Sequence, residues 1–97
     1  MTKLVFSKKA PKPIGPYSQA IRVDNFLFVS GQISINPETG LLEGDDIIAQ
    51  THRVLKNIDE ILKKAAFSFA DVVKTTIYLR NIKDFPDVNS VYENYVK

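Results

Sequence analysis

Apolar residues change their spacing several times along the chain, and each change predicts an element. Leu4-Val5-Phe6 is a short apolar run that predicts a first strand, followed by a basic stretch from Ser7 to Gly15 in which Pro11 and Pro13 block helix. Tyr17 to Val23 is compatible with a second strand, and Asp24-Asn25 forms a two-residue connection of the hairpin type. Phe26-Leu27-Phe28-Val29 is almost continuously apolar, as expected of a strand covered on both faces. Ser30-Gly31-Gln32 interrupts it, and Asn36-Pro37-Glu38-Thr39-Gly40 reads as a turn.

The period then changes to that of a helix, from about Asp46 to Ala66. Ile47, Thr51, Val54, Ile58, Ile61 and Ala65 recur every three or four residues, flanked by Ile48, Leu55 and Leu62, a stripe wide enough to pack on a sheet. Asp45 or Asp46 can cap its start, and Lys63 and Lys64 suit the negative end of its dipole. Asp71 to Leu79 is rich in β-branched residues and predicts a further strand. Asp84 can cap a second helix, with Pro86 in its first turn and Phe85, Val88, Tyr92 and Tyr95 on its apolar face. The predicted order is β-β-β-α-β-α, with a crossover that favours a sheet covered by helices on one side. The chain reaches Lys97 with no returning strand, so the pattern looks unfinished.

Composition narrows the class. The 97 residues fit one domain, 1–97, and the 44% hydrophobic and 25% charged residues argue against disorder. A net charge of +2, from 13 basic and 11 acidic residues spread along the chain, gives no strong pull toward nucleic acid or anionic lipid. The absence of cysteine excludes disulfides and thiolate metal sites. No apolar run approaches the ~18 residues of a membrane span, and no signal peptide is evident, so a cytoplasmic protein is expected.

Candidate chemistry is sparse. His52, the single histidine, sits mid-helix beside the apolar stripe and reads as a flanking surface residue. No phosphate loop, HExxH or GxSxG motif occurs. Most carboxylates lie at helix starts, turns and exposed helix positions, where caps are the ordinary role. Two segments remain. Pro13-Ile14-Gly15-Pro16-Tyr17-Ser18-Gln19-Ala20 can be a stiff turn delivering Tyr17 and Gln19 to a binding loop, or a loop end with Tyr17 packed on the sheet edge. Phe28-Val29-Ser30-Gly31-Gln32 can present a backbone N–H to an anionic ligand, or end in an ordinary bulge.

Together these segments cross into a family resemblance. Ala10-Pro11-Lys12-Pro13-Ile14-Gly15-Pro16-Tyr17-Ser18-Gln19-Ala20 resembles the N-terminal signature of the RidA/YjgF family of imine deaminases. Phe28 to Ile33 with Asn36 to Gly40 resembles its second block; Gln50, Leu55, Asn57 and Ile58 match its first helix. Asp71 to Leu79 and Asp84 to Tyr92 match the next strand and helix. Five blocks in order, across almost the whole chain, are far more specific than one motif.

The resemblance implies an α+β fold of the chorismate-mutase type: a mixed sheet with two helices packed on one face, assembled as a homotrimer with sites in clefts between subunits. It implies a 2-iminobutanoate/2-iminopropanoate deaminase that hydrolyses reactive enamine/imine intermediates to 2-keto acids and ammonia, with no cofactor and no metal. Tyr17 carries over as the catalytic candidate, and Ser30, Gly31, Phe85 and Asn89 as substrate-binding candidates. Two family positions, an arginine that holds the substrate carboxylate and a glutamate that orients water, fall beyond Lys97. Arg22 and Arg80 are the nearest spare cations, though nothing in the family pattern makes either a substitute. Phe67 stands where family members commonly have a glycine after the first helix, which weakens the expected left-handed cap. The family's C-terminal strand lies between the strands near Phe28 and Ile77, so residues 1–97 are expected to leave two unpaired edges and, by themselves, to be nearly inactive. A tail beyond Lys97 in the whole molecule is the favoured explanation. The alternatives are a non-catalytic small-molecule-binding or regulatory module and, third, an endoribonuclease or translation inhibitor. Expected partners are small 2-imino or 2-keto acids and further copies of the chain, without membrane and without a basic, aromatic-interleaved surface for nucleic acid.

Overall fold

A computed structural model describes residues 2–13, 15 and 17–96. Three short strands form one antiparallel sheet in the order β1 (Thr2–Val5), β2 (Ala20–Val23), β3 (Phe26–Val29). β1 and β2 pair from Thr2 opposite Val23 to Val5 opposite Ala20. β2 and β3 pair from Ala20 opposite Val29 to Val23 opposite Phe26, turning through Asp24 at φ 52°. Aspartate accepts this left-handed conformation better than most residues. The hairpin falls where the sequence predicts it.

This register places Val5, Ala20 and Val29 in one cross-strand row, and helix α1 (Ile47–Lys64) covers that face. Val5, Ala10 and Ala20 meet Ile61 and Ala65, with Leu27, Val29 and Phe67 packed around them. The other face is open: Phe26 and Phe28 are 66% and 63% exposed. The apolar run of β3 is therefore covered on one face, not two. A pure alternation would have been legible; here apolar side chains occupy the uncovered positions as well.

Asp46 caps α1, its side chain accepting from Ala49 N–H at 2.8 Å. The start of the helix also requires glycine at position 44, where φ is +105° and a Cβ would lie 2.8 Å from the Gln50 backbone nitrogen. At the other end the chain turns left-handed at Ala66, φ 63°, one residue before the position anticipated for that role. Phe67 N–H donates to Leu62 O at 2.8 Å and Ala66 N–H to Lys63 O at 3.0 Å, the two bonds of a Schellman stop. An alanine in this conformation costs about 1–2 kcal/mol. Arg22 reinforces the stop: its Nη1 donates to Ala65 O at 3.3 Å and its guanidinium sits 5.3 Å from the Phe67 ring centroid. Arg22 is thus an anchor between hairpin and helix rather than a spare cation.

The predicted strand at Asp71 to Leu79 is not formed. Its first residue closes a capping box around the short 3-10 turn Phe69–Asp71: Ser68 N–H donates to Asp71 Oδ2 at 2.9 Å. The following segment, 72–79, runs without ladder partners, leaving Val73 93% and Tyr78 92% exposed. β-Branched residues favour extended backbone, but a strand also needs a neighbour, and no described residue supplies one. The outer edge of β3 likewise pairs with no described strand.

A second 3-10 turn, Ile82–Asp84, leads into α2 (Phe85–Tyr95). The capping side chain is Asn81, which accepts from Lys83 N–H at 3.0 Å; Asp84 makes no cap bond. α2 buries Val88 and Val91 and packs against α1. His52 is half-buried and bonds Tyr95 Oη at 2.8 Å, joining the two helices, so it is an interhelical link rather than a flanking surface residue. No helix among the described residues is long and apolar enough to cross a membrane.

Candidate functional site

Where the β1–β2 connection meets the exit of β3, the two irregular segments leave a cleft of about 310 Å³. Its walls are Pro11, Lys12, Pro13, Tyr17, Ser18 and Gln19 on one side and Ser30, Gly31, Gln32, Ile33 and Ile35 on the other. The volume sits at the lower end of the range for small-molecule sites.

Three of the sequence-predicted residues, Tyr17, Ser30 and Gly31, come together here. Ile14 and Pro16 of the expected Pro-Gly-Pro turn lie outside the described residues. Gly15 has φ 84°, and its carbonyl accepts from Tyr17 N–H at 2.9 Å, which fixes the backbone from which the tyrosine projects. Tyr17 itself is 70% exposed and its phenol has no hydrogen-bond partner among the described residues, so it is not a tyrosine packed on a sheet edge.

Ser30 is already engaged. Its N–H donates to Gln19 O at 3.0 Å and its hydroxyl donates to Ser18 O at 2.5 Å, tying the end of β3 to the approach of β2. The hydroxyl keeps its acceptor capacity, but the backbone donor is spent. The N–H of Gly31 donates to no acceptor among the described residues. A Cβ built on Gly31 meets nothing within 4 Å, and its φ lies outside the left-handed region. Unlike Gly44, Gly31 is required neither by backbone nor by packing within the chain. What its missing side chain leaves is access to the cleft.

Phe85 and Asn89 are not among the cleft's lining residues. They stand on α2, Phe85 46% exposed and Asn89 donating through Nδ2 to Glu93 Oε1 at 3.1 Å. Arg80 is exposed and is likewise not among the lining residues. Two groups that the sequence reading did not single out do belong to the cleft. Lys12 is the one cation among its described lining residues, and Ile33 and Ile35 form its apolar wall. Lys12 between two prolines was a readable signal, because the prolines fix the direction of the backbone that carries it.

An α+β chain with a three-stranded antiparallel sheet, one covering helix and a small cleft at the strand ends defines the class. Residues 7–97 match the family described as Endoribonuclease L-PSP. A RutC family protein of Pyrococcus abyssi is 56% identical over 93 residues, covering 96% of this chain and 73% of the relative. The human 2-iminobutanoate/2-iminopropanoate deaminase is 44% identical over 95 residues, covering 98% of this chain and 69% of the relative. The crystal structure of E. coli TdcF with bound serine superposes with a TM-score of 0.90 at 34% identity, covering 95% of this chain and 72% of that one. The chain belongs to the RutC/RidA (YjgF) family.

Proposed function

We propose that the protein is a 2-imino acid deaminase, converting 2-iminobutanoate or 2-iminopropanoate and water to the 2-keto acid and ammonia. The observation that carries this reading is the cleft itself, lined by Gly31, whose N–H meets no acceptor among the described residues, by Tyr17 and Lys12, and by the apolar Ile33 and Ile35. An imine carbon is already electrophilic, so binding and orientation supply much of the acceleration. Water adds to the C=N carbon, and the resulting carbinolamine expels ammonia to leave the ketone. The Gly31 N–H and Lys12 suit the substrate carboxylate, the isoleucines its short side chain, and Tyr17 a hydrogen bond to the reacting nitrogen or the water. The deaminase name of the human relative and the serine bound to TdcF support an amino-acid-like ligand.

The exposed Tyr17 and the open sheet face with Phe26 and Phe28 suit a cleft completed by a neighbouring subunit, and a homotrimer in the cytoplasm is part of the proposal. Phe85 and Asn89 join the site only where assembly brings α2 to a cleft. One observation favours a second reading, binding without turnover: no carboxylate or histidine is among the described lining residues, so the cleft shows no acid–base pair of its own. The same lack weakens a role in RNA cleavage.

The test generates 2-iminobutanoate in situ with an amino acid oxidase acting on 2-aminobutanoate, and follows 2-ketobutanoate release against capture of the imine by semicarbazide. Deamination by the whole molecule, reduced about tenfold or more in Gly31→Ala and Tyr17→Phe at unchanged Tm, is the expected result, with residues 1–97 alone nearly inactive. Binding of 2-ketobutanoate with no acceleration would move the protein to the second reading.

A further inference from the structure

Both walls of the cleft are irregular backbone, and each is gripped by a single buried carboxamide. Gln19, 2% exposed, accepts from Ser7 N–H through Oε1 at 2.6 Å. Its Nε2 donates to Pro11 O at 2.8 Å and Ser7 O at 3.0 Å, with Ala10 O at 3.4 Å. Asn57 has no exposed surface; its Nδ2 donates to Ile35 O at 2.9 Å and approaches Ile33 O at 3.4 Å. Pro11 belongs to one wall, and Ile33 and Ile35 to the other. The two amides come from unrelated elements, Gln19 from the approach to β2 and Asn57 from the middle of α1.

We infer that Gln19 and Asn57 are positioning residues that set the spacing of the cleft walls, and through it the fit of the short-chain 2-imino or 2-keto acid. The inference rests on the deaminase reading for its ligand, not for its geometry. A carboxamide is suited to the task because it donates and accepts while neutral; a carboxylate can only accept and an ammonium can only donate. An apolar replacement would leave several carbonyls buried without donors. The orientation of Asn57 is itself determined. Arg53 Nε donates to Asn57 Oδ1 at 3.2 Å, so the amino group must face the wall. Arg53 is held in turn by Glu43 at 3.6 Å, which accepts from Asn36 Nδ2 at 2.6 Å. Each is argued to act through the backbone groups it holds, Gln19 through Ser7 N–H and the Ser7 and Pro11 carbonyls and Asn57 through the Ile35 carbonyl.

Gln19→Glu and Asn57→Asp keep side-chain size and remove the donors. The measurements are 2-ketobutanoate affinity by NMR titration, native-state trypsin cleavage after Lys8 and Lys9, and Tm. Both variants are expected to weaken 2-ketobutanoate about tenfold or more. Gln19→Glu alone should speed cleavage after Lys8 and Lys9, leaving cleavage at Arg53 and Lys56 of α1 unchanged. Val91→Ala, chosen to lower Tm without touching the cleft, should keep the unmutated affinity, which separates positioning from general destabilisation. Folded variants with unmutated affinity and cleavage would overturn the inference. Should a variant fail to fold, hydrogen exchange on the unmutated protein decides: Ser7 N–H must be protected like the β2 amides, and free exchange there rejects the Gln19 grip. An unmutated protein that binds no 2-ketobutanoate rejects the deaminase reading, while cleavage and exchange still judge the grip itself.

Discussion

Phe26–Val29 and residues 72–79 are both apolar, β-branched or aromatic segments, and only the first is a strand. β3 pairs along its length with β2 and turns Leu27 and Val29 toward α1. Segment 72–79 is as rich in β-favouring residues, but its one side-chain hydrogen bond among the described residues is the Tyr92 hydroxyl donating to Thr75 Oγ1 at 2.9 Å. The contrast separates two things that composition merges. A sequence can specify extended backbone by itself, but a ladder is a property of two segments, and position in the sheet decides which segment has a partner.

The comparison can be tested by substitution, beginning with the well-packed region. Ile61 has no exposed surface and lies at the centre of the sheet–helix contact, so Ile61→Ala should cost about 2–5 kcal/mol in urea unfolding. A loss below 1 kcal/mol would mean that the sheet face is not the principal core. Next in size is Ala66→Gly, which relieves the left-handed alanine behind α1 and should raise stability by about 1 kcal/mol, read as a higher midpoint at constant slope.

Val73→Ser should change stability by less than about 0.5 kcal/mol, since the side chain is 93% exposed. Amides of 73–78 should exchange orders of magnitude faster than those of the β2–β3 ladder. A large cost at Val73, or slow exchange, would show that assembly or a further segment covers this stretch in solution. The smallest effect is expected at Lys63. A hydrogen bond to Asp59 at 3.0 Å, then the charges of Asp59 and Glu60, raise its pKa above the ordinary 10.5. A raised folded pKa gives a contribution present at neutral pH and lost only as pH rises through that folded value. Because the ammonium is solvent-screened, Lys63→Met should leave the neutral-pH Tm unchanged within error and flatten any decline above pH 10.5.

Much of the fold was legible because its signals are local. The period of α1, the cap at Asp46 and the Asp24-Asn25 hairpin each rest on a few neighbouring residues. The misreadings share a different cause. The strand at 71–79, the doubly covered β3 and the flanking His52 all depend on what lies across space, which one-dimensional spacing does not record. At the site, the two irregular segments that carry Tyr17, Gln19, Ser30 and Gly31 were legible and the motif resemblance sharpened them, whereas the grip of Gln19 and Asn57 shows only when the carbonyls they hold are seen to belong to the cleft. A buried asparagine in an apolar helix stripe is a signal in principle, because a polar group without exposure must have partners. What those partners line was not in the sequence.

The bare position at Gly31 has a consequence for how such a site diversifies. Most substitutions near an active cleft are filtered first by their effect on folding, so new specificities wait for compensating changes. At Gly31 that filter is weak within the chain, since its φ lies outside the left-handed region and a Cβ there meets nothing within 4 Å. Within the chain, a small side chain at position 31 would therefore narrow the cleft without meeting the described residues at its Cβ.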